Sequence, residues 1–145
     1  MPHDPARVAE VRAWLVRAAE DLRAADHELI ASPPILGDLV FHCQQATEKL
    51  FKAFLVWHDV VFRKTHNLEE LGEQCLAIDP TLREVVDRAV PLTEYAWRFR
   101  YPGESDAPTD EEARDALAAA RAVRGAITTR LPSETEPPSG RSIES

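Results

Sequence analysis

The stretch Phe41–Leu68, FHCQQATEKLFKAFLVWHDVVFRKTHNL, constrains this chain most. Leu39, Cys43, Ala46, Leu50, Phe54 and Trp57 recur at spacings of four, three, four, four and three, which places them on one face of a helix. Phe41, Phe51 and Leu55 widen that face. At ~1.5 Å per residue the helix is roughly 30 Å long. A helix apolar on more than one side must be packed by several neighbours, or by neighbours and a second copy of the chain. Asp38 is expected to cap it.

The rest of the chain supplies such neighbours. Asp4-Pro5 opens a first helix, because Asp caps well and Pro is tolerated at the first helical position. Val8, Val11, Leu15, Ala18, Leu22 and Ala25 form its apolar face. It is expected to reach Ile30 and stop before Pro33-Pro34. Residues 58–66 read as a link. Asn67 caps a further helix, with Glu70 placed as a capping-box acid. Asp79-Pro80 starts another, which Pro91 should break. Thr109 and Glu112 form a second capping box, ahead of an Ala-rich helix running to about Leu131. From Pro132 the text is PSETEPPSGRSIES, a composition expected to be disordered. The expectation is an all-α, up-and-down bundle of four to five helices over residues 4–131, with a disordered tail over 132–145.

Composition excludes several function classes. Twenty-five acidic residues against 17 Lys and Arg give a net charge of −8, unlike a general nucleic-acid-coating protein. A local basic site on an acidic body stays open. No apolar run reaches the ~20 residues of a membrane span, and the first residues lack the apolar core of a signal peptide, so a cytoplasmic location is expected. Cys43 and Cys75 are too few for a disulfide framework or a Cys-based zinc site. The five His show no metal-ligand spacing. No metal and no cofactor are expected, and no Gly-rich phosphate loop is present.

Three polar groupings stand out. His42, Gln45, Lys49 and Lys52 share a stripe of the central helix, and Gln44 and Glu48 share another. They read either as a solvated face with intrahelical pairs or as an anion site, with Lys49 and Lys52 on phosphate and Gln45 on a base or sugar. Lys64-Thr65-His66-Asn67 precedes a helix N-terminus, where free backbone donors attract anions. Lys64 and His66 could join such a site, or the turn could serve the fold alone. In Arg98-Phe99-Arg100-Tyr101-Pro102, one Arg could pair with a carboxylate such as Glu48 or Asp21 while the other meets a ligand.

Four motifs taken in order then resemble one family. They are Ala19-Glu20-Asp21-Leu22, the run from Phe41 to Ala53, Lys64-Thr65-His66-Asn67-Leu68, and Arg100-Tyr101-Pro102. Together they resemble the HEPN domain (higher-eukaryote and prokaryote nucleotide-binding) over about residues 8–130. The resemblance implies a small helical bundle, usually a homodimer, often accompanied in bacteria and archaea by a separate minimal nucleotidyltransferase in toxin–antitoxin-like pairs. Some members bind nucleotides. Others are metal-independent ribonucleases that use an Arg, four to six intervening residues, then a His. That motif is absent: Arg63 precedes His66 with two residues between, and Arg23 precedes His27 with three. The expectation is therefore a nucleotide- or RNA-binding component of a two-component system, with Gln45, Lys49, Lys52, Lys64, His66, Arg98 and Arg100 as phosphate-binding candidates. The alternatives are a divergent ribonuclease with His66 and Arg100 as catalytic candidates across a dimer, and a non-catalytic interaction module.

Overall fold

The expected helices form wherever cap, stripe and breaker agree. A computed structural model of the protein describes residues 3–102 and 107–138. Five α-helices span Pro5–Ile30 (α1), Leu36–Trp57 (α2), Leu68–Ile78 (α3), Arg83–Ala89 (α4) and Asp110–Thr128 (α5), and no strand occurs among the described residues. Short 3-10 turns cover Pro80–Leu82, Val90–Ala96 and Ser133–Thr135. The protein is an all-α bundle, as the periodicity predicts.

Asp4 caps α1 by accepting from the Ala6 amide at 3.0 Å. Thr109 and Glu112 form both halves of the capping box on α5. Two expected caps differ. Asp38 is not the cap of α2, which starts earlier behind Ile35; Asp38 lies in its first turn, where a carboxylate still suits the helix dipole. Asn67 does cap α3, accepting from the amides of Glu69 and Glu70. Glu70, however, does not return the bond. Its two oxygens take the Arg63 guanidinium at 2.7 and 2.8 Å, and the Asn67 amide donates to Thr65 Oγ1 instead. A charged two-pronged donor within reach outcompetes a single backbone amide. Pro91 acts as expected: α4 ends at Ala89 and the chain continues as a 3-10 turn.

α2 is the hub. It packs along α1 over most of its length and also meets α3, α5 and the Val90–Ala96 turn. Phe51, Phe54, Leu39, Leu50 and Leu55 are fully buried around it, which explains a stripe wider than one neighbour needs. α5 contributes Ala113, Ala116, Ala120, Val123 and Ile127 to the same core. Arg130, just past α5, donates to Asp79 Oδ2 at 2.9 Å and Thr81 Oγ1 at 3.0 Å, which ties the end of α5 to the α3–α4 joint. Beyond it, the Ser133–Thr135 turn lies against α1 with Thr135 buried, and the Arg12 guanidinium donates to the Glu134 carbonyl. The disorder expected of the tail falls, for residues 139–145, outside the described residues.

Cys43 and Cys75 are both buried, and burial pushes each thiol up to about 12. A thiol that stays protonated is a poor nucleophile. Native protein at neutral pH is therefore expected to show almost no reaction with a thiol reagent, and two equivalents after unfolding.

Two helical glycines have opposite surroundings. A Cβ on Gly72 would lie 2.6 Å from Cγ1 of the buried Val86, so α3 and α4 approach through it. A Cβ on Gly125 would meet nothing within 4 Å. Gly72→Ala is expected to lose about 1–2 kcal/mol, because overpacking exceeds the gain in helix propensity. Gly125→Ala is expected to gain about 0.5–1 kcal/mol. Urea unfolding of the two variants checks both signs.

Candidate functional site

The polar residues of α2 do not form a solvated face. Gln44 is 0% exposed, and Glu48 and Lys52 are 6% exposed. They are buried because α1 covers one side of α2 and the 58–67 link crosses the other. Lys52 Nζ donates to Glu48 Oε2 at 2.8 Å. Its ammonium lies 5.5 Å from the Trp14 ring centre and 5.6 Å from that of Phe62, within the range of cation–π attraction. Glu48 Oε1 also takes the Gln44 amide at 3.2 Å and stands 2.8 Å from His66 Nδ1. Gln44 donates in addition to the His66 carbonyl at 3.1 Å, fixing the turn itself.

Burial alone would push the Glu48 carboxyl up. The hydrogen bonds from Lys52 and His66, the Lys52 charge and the Gln44 amide outweigh it, and the carboxyl lies below its ordinary value. An ionised carboxylate only accepts hydrogen bonds. His66 therefore holds its proton on Nδ1, which leaves Nε2 as the outward atom of a side chain that is 67% exposed. Lys64, two residues earlier, is exposed, and neither a hydrogen bond nor an ion pair engages its ammonium among the described residues.

The other candidates are placed elsewhere. Lys49 Nζ is paired with Asp21 Oδ2 at 2.8 Å, part-buried between α1 and α2. Gln45 donates to Gln44 Oε1 at 2.7 Å. Arg98 pairs with Glu94 at 3.1 Å, and Arg100 with Asp38 at 2.8 Å while standing 4.0 Å from the Phe41 ring centre. The suggestion that an Arg of this pair meets Glu48 or Asp21 is thus corrected: Lys49 pairs with Asp21, Lys52 and His66 engage Glu48, and the two arginines find Glu94 and Asp38 instead. Asp38 and Glu48 are ten residues apart on α2, about 15 Å along its axis. His66 and Arg100 consequently stand at opposite parts of one chain, not in one site. Trp97 and Tyr101 remain exposed beside Arg98 and Arg100.

Trp14 and Phe62 escaped the sequence reading as partners of Lys52. The available signal was Glu48 four residues before Lys52, an ion-pair spacing, combined with a stripe too wide for a helix with a free polar face. Among the described residues no group of three or more His, Cys, Asp and Glu could hold a metal ion, and no helix is long and apolar enough to cross a membrane.

The family model of the HEPN domain matches residues 11–130, and the chain belongs to that family. No curated protein and no solved structure matches it. Membership links the chain to nucleotide- or RNA-related function.

Removing Glu48 leaves the buried Lys52 uncompensated. Glu48→Ala is expected to cost about 3–5 kcal/mol, whereas the double variant Glu48→Leu, Lys52→Met costs far less. The folded carboxyl lies below its unfolded value of about 4.3, so its contribution is complete above that pH and disappears as pH falls through the folded value. Urea unfolding as a function of pH is expected to show this acid loss in the native chain and its absence in Glu48→Gln.

Proposed function

We propose that this protein recognises the phosphate of a nucleotide or an RNA end at the exposed Lys64–His66 turn ahead of the α3 N-terminus, acting as the binding component of a two-component system with a separate nucleotidyltransferase. The first amides of α3 itself are taken by Thr93 and Asn67. The observation that carries this reading is the His66 imidazole. A buried carboxylate fixes one ring nitrogen at 2.8 Å and the other is left to solvent, beside exposed Lys64. Such a ring can donate to a phosphate oxygen when protonated, with its orientation already set. Lys64 adds charge. Family membership supports the ligand class, and the nucleotidyltransferase partner and the homodimer rest on the behaviour of relatives of this type.

Of the other candidates, Lys49, Lys52, Arg98 and Arg100 each have an internal carboxylate partner, so a phosphate would have to displace one. Partner exchange is easiest for Arg98 and Arg100, whose pairs are the most exposed of the four. A second reading, metal-independent RNA cleavage, is favoured by the Glu48–His66 pair alone, since a carboxylate-oriented imidazole is suited to proton transfer. It requires Arg100 from another copy of the chain.

A ligand of the native state at 100 times its Kd stabilises by about 2.7 kcal/mol. Thermal unfolding with added mononucleotides and with short RNA is expected to show an upward shift of several degrees for at least one of them. His66→Ala and Lys64→Gln should each reduce it by half or more. The absence of any shift defeats the binding reading. RNA cleavage in EDTA that disappears in both His66→Ala and Arg100→Ala replaces it with the second.

A further inference from the structure

A second concave surface lies away from His66, between α1 and α5. The two helices run antiparallel there: Leu15 faces Thr128, and Arg23 and Asp26 face Arg121. Ala19 and Gly125 place almost no side chain in the space between them, which leaves that space open. The space divides into a cleft of about 370 Å³ reaching Leu50 on the floor, and a smaller one of about 170 Å³. Ala19, Arg121 and Arg124 line both, so the two form one groove.

Its charge is graded. Arg23, Arg121 and Arg124 converge at one end. Asp26 pairs with Arg121, but among the described residues neither Arg23 nor Arg124 has a carboxylate partner. On a chain of net charge −8, most of whose arginines pair with carboxylates, two exposed guanidinium groups without such a partner line one cleft. The other end carries the Thr128 hydroxyl and the Glu136 carboxylate, the latter brought there by the segment that follows α5. Seven residues of α5 separate Arg121 from Thr128, about 10 Å. Guanidinium groups match phosphate oxygens with paired donors. A carboxylate and a hydroxyl match the hydroxyl and amino groups of a sugar or base.

We propose that the α1–α5 groove is a binding site for a phosphate-bearing ligand of mononucleotide size. Arg23, Arg124 and Arg121 take the phosphate, and Thr128 and Glu136 take donors at the far end of the molecule. Gly125 keeps the groove open. The site is separate from the α3 N-terminus and does not depend on His66.

Amide and imidazole NMR of the full chain, titrated with AMP and in parallel with inorganic pyrophosphate, tests it. AMP is expected to shift the Gly125 amide saturably at micromolar to millimolar concentration. Arg124→Gln should weaken that binding about tenfold or more. Gly125→Leu, whose side chain enters open space, should abolish it with the fold intact. Arg114→Gln removes the same charge from an exposed pair elsewhere on α5 and should leave it unchanged. Pyrophosphate should bind more weakly than AMP; equal binding overturns the nucleotide-sized part of the assignment. No saturable shift at Gly125, or retention of binding in both Arg124→Gln and Gly125→Leu, overturns the site. Shifts confined to His66 and Lys64 overturn the groove while leaving the reading of the α3 N-terminus intact, and shifts confined to the groove do the reverse.

Discussion

Glu48 and Lys52 face each other one helical turn apart in the interior, and much of the bundle is arranged so that both can stay charged there. An ion pair taken out of water costs more in desolvation than its own attraction returns, unless further groups solvate it. Here they do. Gln44 and His66 take up the spare acceptor capacity of the carboxylate, and the Trp14 and Phe62 rings lie beside the ammonium. These four groups come from three parts of the chain: Trp14 from α1, Gln44 from α2, and Phe62 and His66 from the 58–67 link. The pair therefore fixes the position of the link as well as the register of α1 on α2. An apolar substitute could fill the volume, but it would not hold the imidazole.

The same economy of charge bears on function. A net charge of −8 suggests a surface that repels phosphate. The cations of α2 are matched inside the fold, Lys49 by Asp21 and Lys52 by Glu48. The cations left without a carboxylate partner among the described residues include Lys64 beside the tethered imidazole, and Arg23 and Arg124 of the α1–α5 groove. Under the proposed reading, phosphate would be selected by position and not by a general field, and binding would depend only weakly on salt compared with proteins that coat nucleic acid.

The fold was largely legible from residues. Asp4-Pro5, Thr109 with Glu112, and Pro91 each act through local geometry, and local geometry can be read along a chain. Asp38 and Glu70 do not take the capping roles expected of them: α2 begins before Asp38, whose partner Arg100 lies 62 positions away, and Glu70 is claimed by Arg63. The candidate site was less legible for the same reason. Lys49, Lys52 and Gln45 share a stripe that suits an anion equally well as internal partners. Only packing reveals that α1 covers it and that Asp21 and Glu48 already occupy it. His66 differs because its exposure follows from the turn that Asn67 caps. The groove was invisible, since Arg23 and Arg124 lie 101 positions apart and meet only when α1 and α5 are antiparallel.

The α1–α2 hairpin has a kinetic consequence. These are the two longest helices, they are adjacent in sequence, and a five-residue link joins them. Their contacts form the most extensive interface in the molecule, and closing so short a loop costs little chain entropy. The hairpin therefore offers an early nucleus of low contact order, on which α3, α4 and α5 condense. Helical topologies of this kind fold in roughly microseconds to milliseconds. The Lys49–Asp21 and His42–Glu28 pairs span that hairpin. They are placed to align it before the rest of the chain arrives.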